Sequence, residues 1–216
     1  MYTSIKMEKD ILIFDFDGTI ADTLELMRKV SNHLSKEFHF KHIEPEDVDT
    51  LKNMTSQELI KYLHIPFLML PLIITKAKQE LNKDMETVKP VFGLKEVLFK
   101  LKELKFKMGI LTSNSAENVT KFITIHQLDC FDFITSTTQI WGKHVSLKKL
   151  MNQQGFQPDN IIYIGDETRD IPAARKAGVK IAAVTWGFNS KEALEKHNPD
   201  FILTKPEQLL NLYTTD

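Results

Sequence analysis

The chain reads as short, largely apolar runs separated by longer segments with helical periodicity. The runs are Ile11-Leu12-Ile13-Phe14, then residues 107–111, 133–135, 160–164, 180–184 and 201–203. Runs of this length without polar alternation predict strands buried on both faces, as in a parallel sheet. Between them lie amphipathic segments at 94–104, 116–126, 144–154, 169–177 and 190–197. In the first of these, Leu94, Val97, Leu98, Leu101 and Leu104 recur at the three/four spacing of a one-sided helix. Strand alternating with helix predicts an α/β fold, a doubly wound, Rossmann-like parallel sheet.

One region breaks the rhythm. From Asp22 to about Lys89 only helical patterns occur, at 22–38, 55–63 and 68–85, with no strand candidate between them. This predicts an all-α insertion directly after the first strand. Its boundaries are Thr19–Asp22 and the stretch Lys89-Pro90-Val91-Phe92-Gly93, whose Pro and Gly read as a hinge. The expected division is a core of residues 1–20 and 89–216 with a helical cap at 21–88. The longest apolar stretch, 65–74, carries Pro66 and Pro71 and spans about half a membrane, so it reads as a buried hairpin or a partner surface.

Composition narrows the function classes. The 216 residues carry a formal net charge of −1, which gives no field to draw nucleic acid or an anionic membrane. A single cysteine, Cys130, excludes an intramolecular disulfide and fits a reducing, cytoplasmic setting. The start of the chain lacks the basic-then-apolar pattern of a signal peptide. The histidines show no metal-ligand spacing.

The chemistry concentrates at the ends of strands. Asp15-Phe16-Asp17-Gly18-Thr19 follows the first apolar run, and its alternate carboxylates project the same way from the strand end. Two acids so placed need neutralising, and a hard cation such as Mg²⁺ takes carboxylate oxygens. Gly18 permits a sharp turn, and Thr19 offers a hydroxyl. After residues 107–111 come Thr112-Ser113-Asn114-Ser115, which form an anion site at a helix start or simply cap it. Lys143 opens a helix, where it opposes the dipole and calls for an anionic partner; Lys148 and Lys149 compete for that role but read as solvent-facing. Gly165-Asp166-Glu167-Thr168-Arg169-Asp170 follows the fourth run, with Asp166 and Asp170 spaced to face one ion.

Taken in order, these motifs resemble the haloacid dehalogenase-like hydrolase superfamily, most closely its phosphoglycolate phosphatase-like branch with an α-helical cap. The resemblance covers nearly the whole chain. It implies a Mg²⁺-dependent phosphatase acting on small phosphorylated metabolites, including phosphoglycolate-like ones, through an aspartyl-phosphate. It implies Asp15 as nucleophile, Asp17 as general acid/base, Ser113 and Lys143 as phosphate-holding groups, and Gly18, Thr19 and Asn114 beside them. It implies a metal held by Asp15, Asp17 (through its backbone carbonyl) and Asp166, with Asp170 orienting Lys143 or a metal-bound water. Lys143 is followed by His144-Val145-Ser146 where that branch has Pro-x-Pro. A phosphomutase of the same superfamily would share all four motifs, and a phospho-acceptor module would lack the acid at Asp17. The chain is expected to be a monomer or homodimer. Substrate-selecting residues of the cap are sought at Lys52, Asn53, Met54 and Thr55, where Thr55 also reads as a helix cap with Glu58.

Overall fold

The computed structural model describes residues 11–137 and 142–212. Its strands are β1 (Ile11–Phe14), β2 (Lys107–Thr112), β3 (Phe133–Ser136), β4 (Ile161–Gly165), β5 (Lys180–Val184) and β6 (Phe201–Leu203). They form one sheet in the order β3-β2-β1-β4-β5-β6, with every neighbouring pair parallel. The order runs outward in both directions from β1, so β1 and β4 flank the crevice where a doubly wound sheet places its ligand site.

Alternation along each strand divides the core. Leu12, Phe14, Met108, Ile110, Ile162 and Ile164 face one side; Ile11, Ile13, Leu111, Ile161 and Tyr163 face the other. The first side is covered by α5 (Leu94–Glu103), through Val97, Leu98 and Leu101, and by α6 (Ala116–His126), through Val119 and Phe122. The second is covered by α7 (Lys143–Gln154), α8 (Asp170–Ala177) and α9 (Lys191–Glu195), through Leu147, Leu150, Ile171, Ala174 and Leu194. Both faces are thus dry, which is why the central strands read as continuous apolar runs. Gly109 is held to glycine by this packing, because a Cβ there would run into the Phe133 ring.

Between β1 and β2 the chain forms α1 (Leu24–Phe38), α2 (Val48–Leu51), α3 (Ser56–Tyr62) and α4 (Leu70–Asp84) before α5. Leu26, Val30, Leu34 and Phe38 of α1 and Ile73 and Leu81 of α4 belong to an apolar cluster that continues onto the first face of the sheet. The two connections to this helical segment are tied to each other: Asp22 N–H donates to Lys89 C=O (2.9 Å), and Val91 N–H donates to Ile20 C=O (2.9 Å). The short α2 escaped the sequence reading, since a single turn registers no periodicity.

The stretch 65–74 is not a buried hairpin. It is a 3₁₀ turn, Phe67–Met69, running into α4, and Phe67 and Leu68 are 77% and 93% exposed. Only Ile73 of α4's first turns is buried, so local hydrophobicity there exceeds what one helix face can cover. Among the described residues no single helix is long and apolar enough to cross a membrane.

Candidate active site

The site is assembled at the carboxyl ends of β1, β2 and β4. Asp15 continues β1 by one residue, its N–H donating to Ile164 C=O at 2.8 Å. The chain then turns: Gly18 N–H bonds Ala21 C=O (2.9 Å) and Ala21 N–H bonds Phe16 C=O (3.0 Å). Gly18 sits at φ +74°, and a Cβ there would collide with Asp166 and Phe188, so only glycine meets both demands. Thr19 then turns its hydroxyl onto Asp166 Oδ1 at 2.7 Å.

Lys143, at the start of α7, reaches between two carboxylates. Its Nζ lies 2.6 Å from Asp15 Oδ2 and 2.6 Å from Asp170 Oδ1, and all three side chains are buried. Burial opposes the ammonium charge, but Asp15 and Asp170 outweigh it and hold the lysine's pKa well above its ordinary value. Lys148 and Lys149 are exposed. Asp170 also accepts from the Glu167 N–H (3.1 Å), and Glu167 in turn pairs with Arg169.

Asp166 is fully buried, with Oδ2 accepting the Phe188 N–H at 2.7 Å. Burial, with Glu167, Asp15 and Asp170 adding negative charge, drives its pKa well up. A Cβ at Gly187 would strike the same carboxylate, so two glycines, Gly18 and Gly187, leave the space that it fills. For Asp15, burial outweighs the pull of Lys143 and lifts its pKa to about 7. Carboxylate oxygens of Asp15, Asp166 and Asp170 lie within 4.8 Å of one another. Three buried acids sharing one lysine leave negative charge uncompensated. The oxygen-only donor set suits a hard divalent cation, so the residues fit such an ion. The carboxylate of Asp17 stands outside this trio.

Asp17 instead faces α6. Asn114 Nδ2 reaches both of its oxygens, at 3.2 and 3.1 Å. Burial raises its pKa to about 6, against the opposing hydrogen bond from Asn114 and a looser influence of the Thr23 hydroxyl. An acid poised there can hold or release a proton near neutrality. Asn114 is itself fixed, its Oδ1 accepting from the Asn118 side chain at 3.0 Å. Ser115 caps α6 by accepting from Asn118 N–H. Ser113 is half-buried on the same turn, and among the described residues its hydroxyl has no hydrogen-bond partner. The structure therefore separates the two serines: Ser115 caps the helix, and Ser113 does not.

The helical segment touches this site through the loop that opens α3, whose cap was legible in the sequence and whose contacts were not. Thr55 and Glu58 form a reciprocal cap on α3. The backbone of the loop before Thr55 is taken up by the sheet domain. Asn189 Nδ2 donates to Lys52 C=O (3.0 Å) and Met54 C=O (2.8 Å), and its Oδ1 accepts from Thr168 N–H (2.8 Å). Ser190 N–H adds a bond to Lys52 C=O at 2.8 Å. Asn189 thus latches the helical segment to the Asp166 loop. Trp186, before it, donates its indole N–H to Thr19 C=O at 3.1 Å. From the other side Lys78 of α4, partly buried, is close enough to sense Asp17 and Arg169, with burial pulling its pKa down.

A parallel α/β sheet that gathers buried carboxylates, one lysine and a free hydroxyl at the ends of its central strands is built to transfer an anionic group. The chain belongs to the haloacid dehalogenase-like hydrolase family, whose model matches residues 12–184. It is an enzyme, a hydrolase of that family. It is 31% identical over 204 residues to the phosphoglycolate phosphatase of Synechococcus elongatus, covering 94% of this chain and 96% of that protein. It is 28% identical to the pyrophosphatase PpaX of Bacillus cereus, with 94% and 96% covered. Among solved structures, a haloacid dehalogenase-like hydrolase from Streptococcus pneumoniae superimposes with a TM-score of 0.80 at 19% identity, covering 95% of this chain and 98% of that one, a likeness of fold.

Proposed function

We propose that this protein hydrolyses small phosphomonoesters, with Mg²⁺ as cofactor, through an aspartyl-phosphate at Asp15. The observation that carries the reading is the buried Lys143 held between Asp15 and Asp170, with Asp166 beside them and Asp17 two residues beyond the nucleophile. In the first step an Asp15 carboxylate oxygen attacks phosphorus, the ester oxygen departs, and Asp17 gives it a proton. In the second, Asp17 takes a proton from water as that water attacks phosphorus, which releases phosphate and restores the Asp15 carboxylate. Lys143 offsets the negative charge of the phosphoryl oxygens and of Asp15 throughout. Ser113 holds a phosphoryl oxygen, with Asn114 beside it on the same turn. Thr19 and Phe188 N–H fix Asp166, and Asp170 fixes Lys143, so all three are positioning groups.

Asp15, Asp166 and the Asp17 backbone carbonyl would hold the cation, with Asp170 on its edge. When bound, the ion supplies positive charge that lessens repulsion between a carboxylate nucleophile and a phosphate dianion. The segment 21–88 acts as a cap that closes over the site, and the Asn189 latch and Lys78 belong to its closed arrangement. The activities for which the relatives are named suggest phosphoglycolate-like esters first and pyrophosphate second. The test is phosphate release from a panel of such compounds, with Mg²⁺ and with EDTA. Release that needs Mg²⁺ and is lost in Asp15→Asn supports the reading; release that persists in the variant removes Asp15 as nucleophile. A phosphomutase would instead need a phosphorylated primer and show little net release.

A further inference from the structure

His126 ends α6, away from the Asp15 cluster, and is half-buried beside the second connection to the helical segment. Its ring Nε2 lies 2.8 Å from Val88 C=O. A carbonyl only accepts, so this nitrogen carries the proton and donates. Val88 is buried, and among the described residues no other donor reaches its carbonyl. The backbone of His126 is held as well: its C=O accepts from Lys95 Nζ at 2.8 Å. Val88 precedes residues 89–93, and Lys95 lies in the first turn of α5 just after them. One residue of the sheet domain therefore grips the connection on both sides of its Pro and Gly.

This grip reaches the reacting centre by contact. Asp22 N–H on Lys89 C=O and Val91 N–H on Ile20 C=O bind the two connections together, so fixing residues 88–91 also fixes 20–22. On the other side of the imidazole, Phe122 lies one helical turn back, its ring centroid 4.5 Å away. Phe122 meets Phe16 edge-on at 5.1 Å, and Phe16 stands between Asp15 and Asp17. Both phenyl rings are fully buried, and dense packing leaves them little room to slip. α6 touches the helical segment again through Lys121 and Glu86, but that pair is exposed and of the kind that contributes little.

We propose that His126 is the positioning residue of the cap's pivot. The inference rests on the reading of segment 21–88 as a cap that closes over the site, and it names the point about which that segment turns. The Asn189 latch holds Lys52 and Met54, on the moving side, and breaks when the cap opens. The bond from His126 to Val88 stays made throughout and keeps the connection in register with the turn that bears Asp15 and Asp17. A pivot so fixed returns the cap to one closed position. A loose pivot lets it close out of register, which harms binding and turnover together.

The test uses the full chain carrying His126→Ala, His126→Gln or His126→Phe. Glutamine offers an N–H donor on a side chain of similar reach, and phenylalanine keeps a ring against Phe122 without a donor. Native-state amide exchange, read without substrate, is expected to quicken about tenfold at Asp22 and Val91 in the Ala and Phe variants and to return toward wild type with Gln. With p-nitrophenyl phosphate and Mg²⁺, kcat should fall and KM rise in the Ala and Phe variants, each by about three- to tenfold, and Gln should recover most of both. A purely structural role would lower the active fraction, hence the apparent kcat, and leave KM unmoved; that result overturns the proposal. Recovery by Phe as complete as by Gln overturns it too, because ring packing and not the bond would then be responsible. Lys121→Ala, which breaks only the exposed pair, should match wild type in both measurements, and a loss equal to that of His126→Ala counts against the pivot. If wild type releases no phosphate, the phosphatase reading fails on its own and the exchange pattern alone decides: unchanged exchange at Asp22 and Val91 in the Ala and Phe variants overturns the proposal.

Discussion

The carboxyl ends of the central strands and the helical segment solve opposite problems. At the strand ends, Asp15, Asp166, Asp170 and Lys143 are buried charges that survive only because each is locked by its partners. In the helical segment, Phe67, Leu68 and Leu72 are apolar groups left in solvent. The first arrangement stores electrostatic energy in a fixed geometry, which suits charge transfer. The second shares an apolar cluster with the first face of the sheet and is fastened further at the Lys52–Met54 loop by Asn189 and Ser190. In the proposed function the charged region carries the chemistry and the helical segment controls access.

Substitutions in the two regions should therefore differ in kind. The largest effect is expected for Asp15→Asn, nearly isosteric, which should cost at least about four orders of magnitude in turnover while the thermal midpoint is kept. Next is Asp17→Asn, expected to slow hydrolysis of alkyl phosphates by about 10²–10⁴-fold. p-Nitrophenyl phosphate, whose leaving group needs no proton, should suffer less in its first step. Equal losses on both esters in a single-turnover measurement would remove Asp17 as general acid.

A third expectation concerns pH. In EDTA, Asp15 and Asp17 hold protons more tightly folded than unfolded, with values of about 7 and about 6. The folded state then binds more protons, so stability falls as pH rises from about 4 through about 7. Divalent cation should reverse the fall. Denaturant midpoints across that range, with and without Mg²⁺, check the sign; a rise with pH in EDTA would contradict it.

In the fastened region effects should be smaller. Asn189→Ala removes the bonds to Lys52, Met54 and Thr168, and should cost about 1–3 kcal/mol of local stability, read as faster amide exchange in the Lys52–Glu58 stretch. Unchanged exchange would mean that the latch is not what holds the segment. Leu68→Ser, at a nearly fully exposed position, should shift stability by within about 0.5 kcal/mol. A larger loss in a melting experiment would mean that the patch is covered in solution.

The same contrast explains what the sequence disclosed. All the expected strands are present within about one residue, because burial on both faces forces unbroken apolar runs such as Ile161–Ile164. The acids were legible because a carboxylate directly after such a run has no structural reason to be there. The Asn189 latch was not, because polar contacts between residues about 135 apart leave no local pattern. Nor was the exposure of Phe67 and Leu68, since hydrophobic composition does not say which face a helix will bury. Ser113 and Ser115 were equivalent in sequence, and only the cap geometry of α6 told them apart.

The central claim is that Asp15 becomes phosphorylated during turnover. The direct measurement is borohydride reduction of the enzyme while it hydrolyses an ester in Mg²⁺, followed by mass spectrometry of the peptide containing residue 15. The account predicts homoserine at position 15, absent without substrate. Steady phosphate release with an unmodified Asp15 under conditions that trap other acyl phosphates would contradict it.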